Sequence, residues 1–66
     1  MNNYDSWFAT LDRVAEENEL SRRDRLLLDA AKAQLVLGNL GAASELMGKV
    51  DNYPLFKCFL DLKENY

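Results

Sequence analysis

Histidine is absent from this chain of 66 residues, and Cys58 is its only cysteine. Histidine is the side chain most often used in general acid–base catalysis, and a nucleophilic thiol needs a base or a cation that lowers its pKa. Lys57 is next to Cys58 in sequence, but successive side chains on a helix point in different directions. We therefore predict that the protein is not an enzyme and has no catalytic residues.

The lack of histidine and the single cysteine also bear on metal sites, cofactor sites and disulfides. One thiol without histidine cannot supply the ligands of a structural zinc site, and a single cysteine forms no intrachain disulfide. The segment 38–41 has two glycines but lacks the lysine of a phosphate-binding loop, and the carboxylates are scattered along the chain. We expect no metal and no cofactor.

No run of about 18 apolar residues is present, and residues 1–5 lack the basic start and apolar core of a signal peptide. Together with the lone thiol, these absences predict a cytoplasmic protein with no membrane partner. Positive charge is also in deficit, because eight lysines and arginines face eleven aspartates and glutamates, for a net charge of −3. An acidic chain repels phosphate, so we expect a protein partner and no direct binding of nucleic acid.

Apolar residues recur every three or four positions along most of the chain, which is the period of a helical face. No strand-like alternation interrupts the pattern, so we predict an all-α fold in a single helical domain, 1–66. The tight turn in the middle makes the two central helices an antiparallel hairpin, which an N-terminal and a C-terminal helix flank. The four short helices are predicted up to position 19, at 22–37, at 40–50 and at 54–65.

Local signals set the predicted helix ends. Ser21 and Asp24 match a capping box, in which the serine hydroxyl accepts from the Asp24 amide while the Asp24 carboxylate reaches back. Gly38 supplies a left-handed residue after the second helix, and Asn39 caps the third. Pro54 suits the first turn of the fourth helix. The predicted caps of the first helix are Asn3, Asp5 or Ser6.

Two features of the central hairpin predict close packing. Nine of the twelve residues from 26 to 37 are apolar, more than a single stripe requires, so we expect this helix to have neighbours on at least two sides. Gly41 lowers helix propensity, which favours a neighbour that requires its small size. A chain this short buries only about 60% of its unfolded surface, so we also expect a homodimer or a heterocomplex.

Candidate partner-binding residues are aromatic, because one tryptophan, three tyrosines and three phenylalanines exceed what so thin a bundle covers. Packing of the first helix against the fourth would place most of them in the core, and the remainder would form a partner-binding patch. The basic cluster 22–25 either holds an anion or is neutralised by the glutamates at 16–19. The predicted partner-binding residues are Tyr4, Trp7, Tyr53 and Phe56, with Arg22 and Arg23 as rim charges.

The segment 24–54 resembles a single tetratricopeptide repeat. The pattern places a large and a small residue in the first helix, Gly-Asn and a large residue in the turn, and an alanine, a large residue and a proline after it. Gln34 stands where an aromatic residue is usual. The resemblance implies a protein- or peptide-binding role, with flanking helices that cap a lone repeat. The matching residues are Leu27, Ala31, Gly38, Asn39, Leu40, Ala43, Met47 and Pro54.

A second segment resembles the Hha/YmoA family, small bacterial proteins that modulate the nucleoid protein H-NS. The matching residues are Thr10-Leu11-Asp12-Arg13-Val14, Glu16, Asn18 and Glu19-Leu20-Ser21. Lys32 stands where that family has an acidic residue, and 38–41 would break its long helix. This resemblance implies a modulator of a nucleoid-associated protein that affects transcription.

The leading prediction is a non-enzymatic helical protein–protein interaction module that docks an apolar face onto its partner. It would serve as a small adaptor, a chaperone-like subunit or a regulator, including an inhibitor encoded by a phage or a mobile element. The transcriptional modulator is the alternative. Association that weakens steeply with salt would favour the modulator, and salt-tolerant association would favour the apolar dock.

Overall fold

The computed structural model describes residues 4–65, and in that range it contains four α-helices and no strand. The predicted all-α fold is therefore confirmed. None of these helices combines the length and the apolar character that a membrane crossing requires. The helices are α1 (Asp5–Asn18), α2 (Arg22–Val36), α3 (Leu40–Met47) and α4 (Tyr53–Glu64).

The helices pack in two pairs, α2 against α3 and α1 against α4, as predicted for the central hairpin and the two flanking helices. All four helices contribute to one apolar core, and within each helix the core residues are three or four positions apart, on one face. The buried apolar residues are Trp7, Leu11, Ala15, Leu28, Ala31, Leu35, Ala43, Met47, Leu55 and Phe59.

The remaining apolar residues of α2, and Leu37 directly after it, do not enter this core. Leu26, Val36 and Leu37 keep 60%, 62% and 69% of their surface exposed, and Ala30 and Ala33 are exposed as well. The helix does have neighbours on two sides, because it packs against α3 and contacts α1 through Lys32, which donates to the Asp12 carboxylate at 2.7 Å. These five apolar residues are nevertheless exposed, so the apolar surplus does not serve those contacts. One side of α2 faces the core, and the opposite side presents apolar side chains to solvent.

Asp24 fixes the start of α2 to the connection between α3 and α4. The Ser21 hydroxyl accepts from the Asp24 amide at 3.1 Å, as predicted, but the Asp24 carboxylate does not reach back. Its two oxygens accept from the amides of Asp51 and Asn52, each at 3.0 Å, and the Asn52 side chain in turn accepts from the Leu55 amide at the start of α4. The buried carboxylate therefore joins two helix N-termini that are distant in sequence.

The turn between α2 and α3 is a Schellman motif centred on Gly38, whose φ of +82° confirms the predicted left-handed conformation. The Gly38 amide donates to the Leu35 carbonyl, and the Asn39 amide donates to the Gln34 carbonyl at 2.8 Å. Asn39 does not cap α3, because its side-chain amide donates to the Gln34 side chain instead. A Cβ on Gly41 would meet no heavy atom within 4 Å, so the predicted close neighbour is absent.

Several helix ends differ from the prediction, most of them by one residue. Tyr4 precedes α1 without a side-chain cap hydrogen bond, so Asp5 and Ser6 do not cap this helix, while Asn3 lies outside the described residues. Asp5 is instead in the first turn, where its charge complements the helix dipole. The third helix ends at Met47 rather than Val50.

Candidate protein-binding groove

An open groove with a volume of about 730 Å³ lies between α1 and α4. Each helix lines it with residues that recur every three or four positions, so that one continuous face of each helix borders the groove. The lining residues are Ser6, Trp7, Thr10, Arg13 and Val14 from α1, Tyr53, Pro54, Lys57, Cys58, Asp61 and Leu62 from α4, and Asn65 after it.

Trp7 forms the inner wall of the groove and belongs to the core, with only 3% of its surface exposed. Its ring meets the Phe59 ring edge to face, with centroids 5.8 Å apart, and the half-buried Tyr4 ring at 4.9 Å. The expectation that Trp7 is one of the incompletely buried aromatics is therefore wrong. Its indole fills the space between α1 and α4, which a smaller side chain would leave open.

Tyr53 is the exposed aromatic of the groove, with 65% of its surface open to solvent at the first residue of α4. Phe56 is half-buried and does not line the groove. Of the four predicted aromatic residues, the structure therefore brings Trp7 and Tyr53 to one groove, places Tyr4 against Trp7, and leaves Phe56 elsewhere.

The two arginines predicted as rim charges do not line the groove. The Arg23 side chain donates to the Lys49 carbonyl at 2.9 Å and to the Asp51 carboxylate at 3.3 Å, so it binds the connection between α3 and α4. Arg22 is exposed and forms no ion pair with residues 4–65. Neutralisation by the glutamates at 16–19 is wrong for Arg23, whose acidic partners are Asp51 at 3.3 Å and Asp24 at 3.8 Å.

Most polar groups of the groove are already bonded near their own position in the chain. Arg13 differs, because its guanidinium forms no ion pair with any residue of 4–65. The groove therefore presents a guanidinium without an ion-pair partner beside apolar walls. The internal bonds run from Thr10 to the Ser6 carbonyl (3.0 Å), from Lys57 to the Asp61 carboxylate (2.9 Å) and from the Asn65 side chain to the Asp61 carbonyl (2.8 Å).

Cys58 is half-buried in the groove wall. Burial raises the pKa of its thiol, the Asp61 carboxylate raises it further, and Arg13 opposes both effects. Burial therefore favours the neutral thiol, which packs in the groove wall as a small apolar side chain.

Sequence reasoning missed several lining residues, among them Arg13, Val14 and Leu62. The helical period could have identified the lining residues of α1 and of α4 separately, since Val14 lies two turns after Trp7 and Lys57 lies one turn after Tyr53. The pairing of the two faces depends on how α1 packs against α4, which no local pattern specifies.

Residues 4–65 contain no group of three or more histidine, cysteine, aspartate or glutamate side chains that could hold a metal ion. Comparison with known proteins finds no matching family model, no matching curated protein and no matching solved structure.

Proposed function

We propose that this protein is a non-enzymatic protein-binding module whose α1–α4 groove receives an amphipathic helix of a partner protein. The observation that carries this proposal is the combination of apolar groove walls, an exposed Tyr53 and an unpaired Arg13 at one site. Small adaptors and regulators work through such contacts, and the single free thiol supports a location in the cytoplasm.

The polar groups of the groove favour a helix over a small molecule. Small-molecule sites combine apolar walls with a few converging polar groups that fix the orientation of the ligand. In this groove Thr10, Lys57 and Asn65 are bonded within the protein, so few directional groups remain for a ligand. An open apolar groove with polar edges suits the apolar face of a helix, which needs no such groups.

Arg13 predicts the charge of the partner helix. Its guanidinium is exposed and has no acidic partner in the described part of the chain, and guanidinium groups form strong paired hydrogen bonds with carboxylates. The partner helix therefore carries a glutamate or an aspartate beside its apolar stripe.

The proposal is tested by calorimetry with two synthetic amphipathic helical peptides that share one leucine stripe and differ only in flanking glutamates or lysines. The acidic peptide is expected to bind more tightly to the wild-type protein. Tyr53→Ala should weaken its binding about fivefold or more, since exposed aromatic anchors contribute over 1 kcal/mol. Failure of both peptides to bind at about 1 mM would contradict the proposal.

Two arginine variants provide a matched control. Arg13→Ala should reduce the preference for the acidic peptide by up to about fivefold, the range of an exposed ion pair. Arg22→Ala removes the same charge outside the groove and should leave the preference unchanged. Equal effects of the two variants would show that net charge, rather than the groove, selects the peptide.

Salt separates this proposal from the transcriptional modulator. Docking of an apolar stripe depends weakly on ionic strength, whereas binding to DNA or to a basic nucleoid protein weakens steeply as salt rises. We expect peptide binding to persist at high salt.

A further inference from the structure

We propose that a second copy of this chain covers the outer side of α2, and that the two α2 helices lie antiparallel across a twofold axis. This surface shares no residue with the groove lining, so a dimer can form here whether or not the groove binds a partner.

The outer side of α2 carries a continuous apolar stripe, Leu26, Ala30, Ala33 and Leu37, spaced by four, three and four residues. This spacing keeps all four on one face of the helix, opposite the core residues Leu28, Ala31 and Leu35. Leu26 and Leu37 are 60% and 69% exposed, and Val36 borders the stripe at 62%.

The stripe is self-complementary. Leucines occupy its two ends and alanines its middle, and both pairs share a midpoint between positions 31 and 32. In an antiparallel pair of helices, Leu26 is therefore level with Leu37 of the second copy, and Ala30 is level with Ala33. The small central residues let the two helices approach closely, and a twofold contact of this kind closes on itself as a dimer.

The charges of α2 favour the antiparallel arrangement. Arg22 and Arg25 lie in the first turn, at the positive end of the helix dipole, and neither forms an ion pair within residues 4–65. The last turn of α2 contains no basic residue. A second, antiparallel α2 places the arginines of each copy beside the negative end of the other, whereas a parallel pair would bring all of these arginines together.

The contact is small. A helix of 15 residues is about 22 Å long, and one such pair covers less area than the roughly 800 Å² per partner of a standard interface. We therefore expect a reversible dimer whose dissociation constant is micromolar or higher, so that it dissociates on dilution.

Sedimentation equilibrium of the full chain over a concentration series tests the dimer. Ala33→Glu places like charges close to the twofold axis and should weaken dimerisation at least about tenfold. Ala9→Glu introduces the same charge at an exposed alanine of α1 and should leave dimerisation unchanged. A monomer at all concentrations up to about 1 mM would overturn the proposal, as would equal effects of the two variants.

Disulfide trapping tests the orientation in a Cys58→Ser background. The double variant Leu26→Cys, Leu37→Cys should form covalent dimers on mild oxidation, because these positions are level in the antiparallel pair. Leu26→Cys alone should not, because its two copies are at least about 16 Å apart, well beyond the roughly 7 Å limit between disulfide-bonded Cα atoms. Efficient cross-linking of Leu26→Cys alone would overturn the antiparallel arrangement. If sedimentation shows a dimer but neither variant cross-links, the dimer forms through another surface and the proposal is wrong.

Discussion

The carboxylate of Asp24 accepts a hydrogen bond from the amide of Asn52 at 3.0 Å, across 28 positions of sequence. Asn52 caps α4, and α4 forms one wall of the groove. A buried residue at the start of α2 therefore holds the start of a groove helix in place.

Replacement of Asp24 by alanine should lower the free energy of unfolding by about 3 kcal/mol, because the amides of Asp51 and Asn52 lose their shared, buried acceptor. Asp29→Ala removes the same charge from an exposed position of α2 and should change stability by less than about 0.5 kcal/mol. Urea denaturation followed by circular dichroism measures both. Similar stabilities of the two variants would show that Asp24 does not fix α4.

Trp7→Ala should abolish stable folding. Truncation of a buried tryptophan costs about 3 to 5 kcal/mol, which equals the whole stability that a core of this size supplies. Tyr53→Ala, at an exposed position on the same groove, should cost less than about 1 kcal/mol. Thermal unfolding followed by circular dichroism distinguishes them, and a Trp7→Ala protein with an unchanged midpoint would contradict the burial of the indole.

The two glycines of the α2–α3 hairpin should respond in opposite directions to alanine. Gly41→Ala should stabilise the protein by up to about 1 kcal/mol, because alanine favours the helix and its Cβ meets no atom within 4 Å. Gly38→Ala should destabilise it by about 1 to 2 kcal/mol, because its φ is +82°. Urea denaturation checks both signs, and stabilisation by Gly38→Ala would contradict the left-handed turn.

Alkylation of Cys58 should be slower in the folded protein than in urea at the same pH, because burial raises the pKa of the thiol. Arg13→Ala should slow it further, since Arg13 opposes that rise, while Arg22→Ala should have no effect. The same pKa shift makes the stability of the protein depend on pH. The folded state holds the thiol proton more tightly than the unfolded state does. The stabilisation by Cys58 is therefore complete below the ordinary thiol pKa and is lost as pH rises through the pKa of the folded state. Iodoacetamide kinetics measure the rates, and faster alkylation of the folded protein would contradict the shift.

Features that depend on neighbouring residues in the chain were predictable from the sequence. The four helices, the Ser21 cap and the left-handed Gly38 each follow from a pattern of a few residues. Features that depend on distant residues were not. The capping box predicted a local bond for the Asp24 carboxylate, but two amides 27 and 28 positions later provide its hydrogen bonds.

The candidate site shows the same division. Tyr53 was predicted among the aromatics that are not fully buried, and it is exposed. The burial of Trp7 was not predicted, since its spacing fits both a core and an interface residue, and only the packing of α1 against α4 decides between them. The excess of apolar residues in α2 was also evident from the sequence. Their spacing alone does not show whether the second apolar face contacts a neighbouring helix or solvent.

The most direct test of the groove proposal is an NMR titration of the isotope-labelled protein with the glutamate-flanked amphipathic peptide. We expect amide shift changes concentrated at Val14, Tyr53 and Cys58 along the facing sides of α1 and α4. Shift changes confined to the outer side of α2, or none at saturating peptide, would contradict the groove proposal.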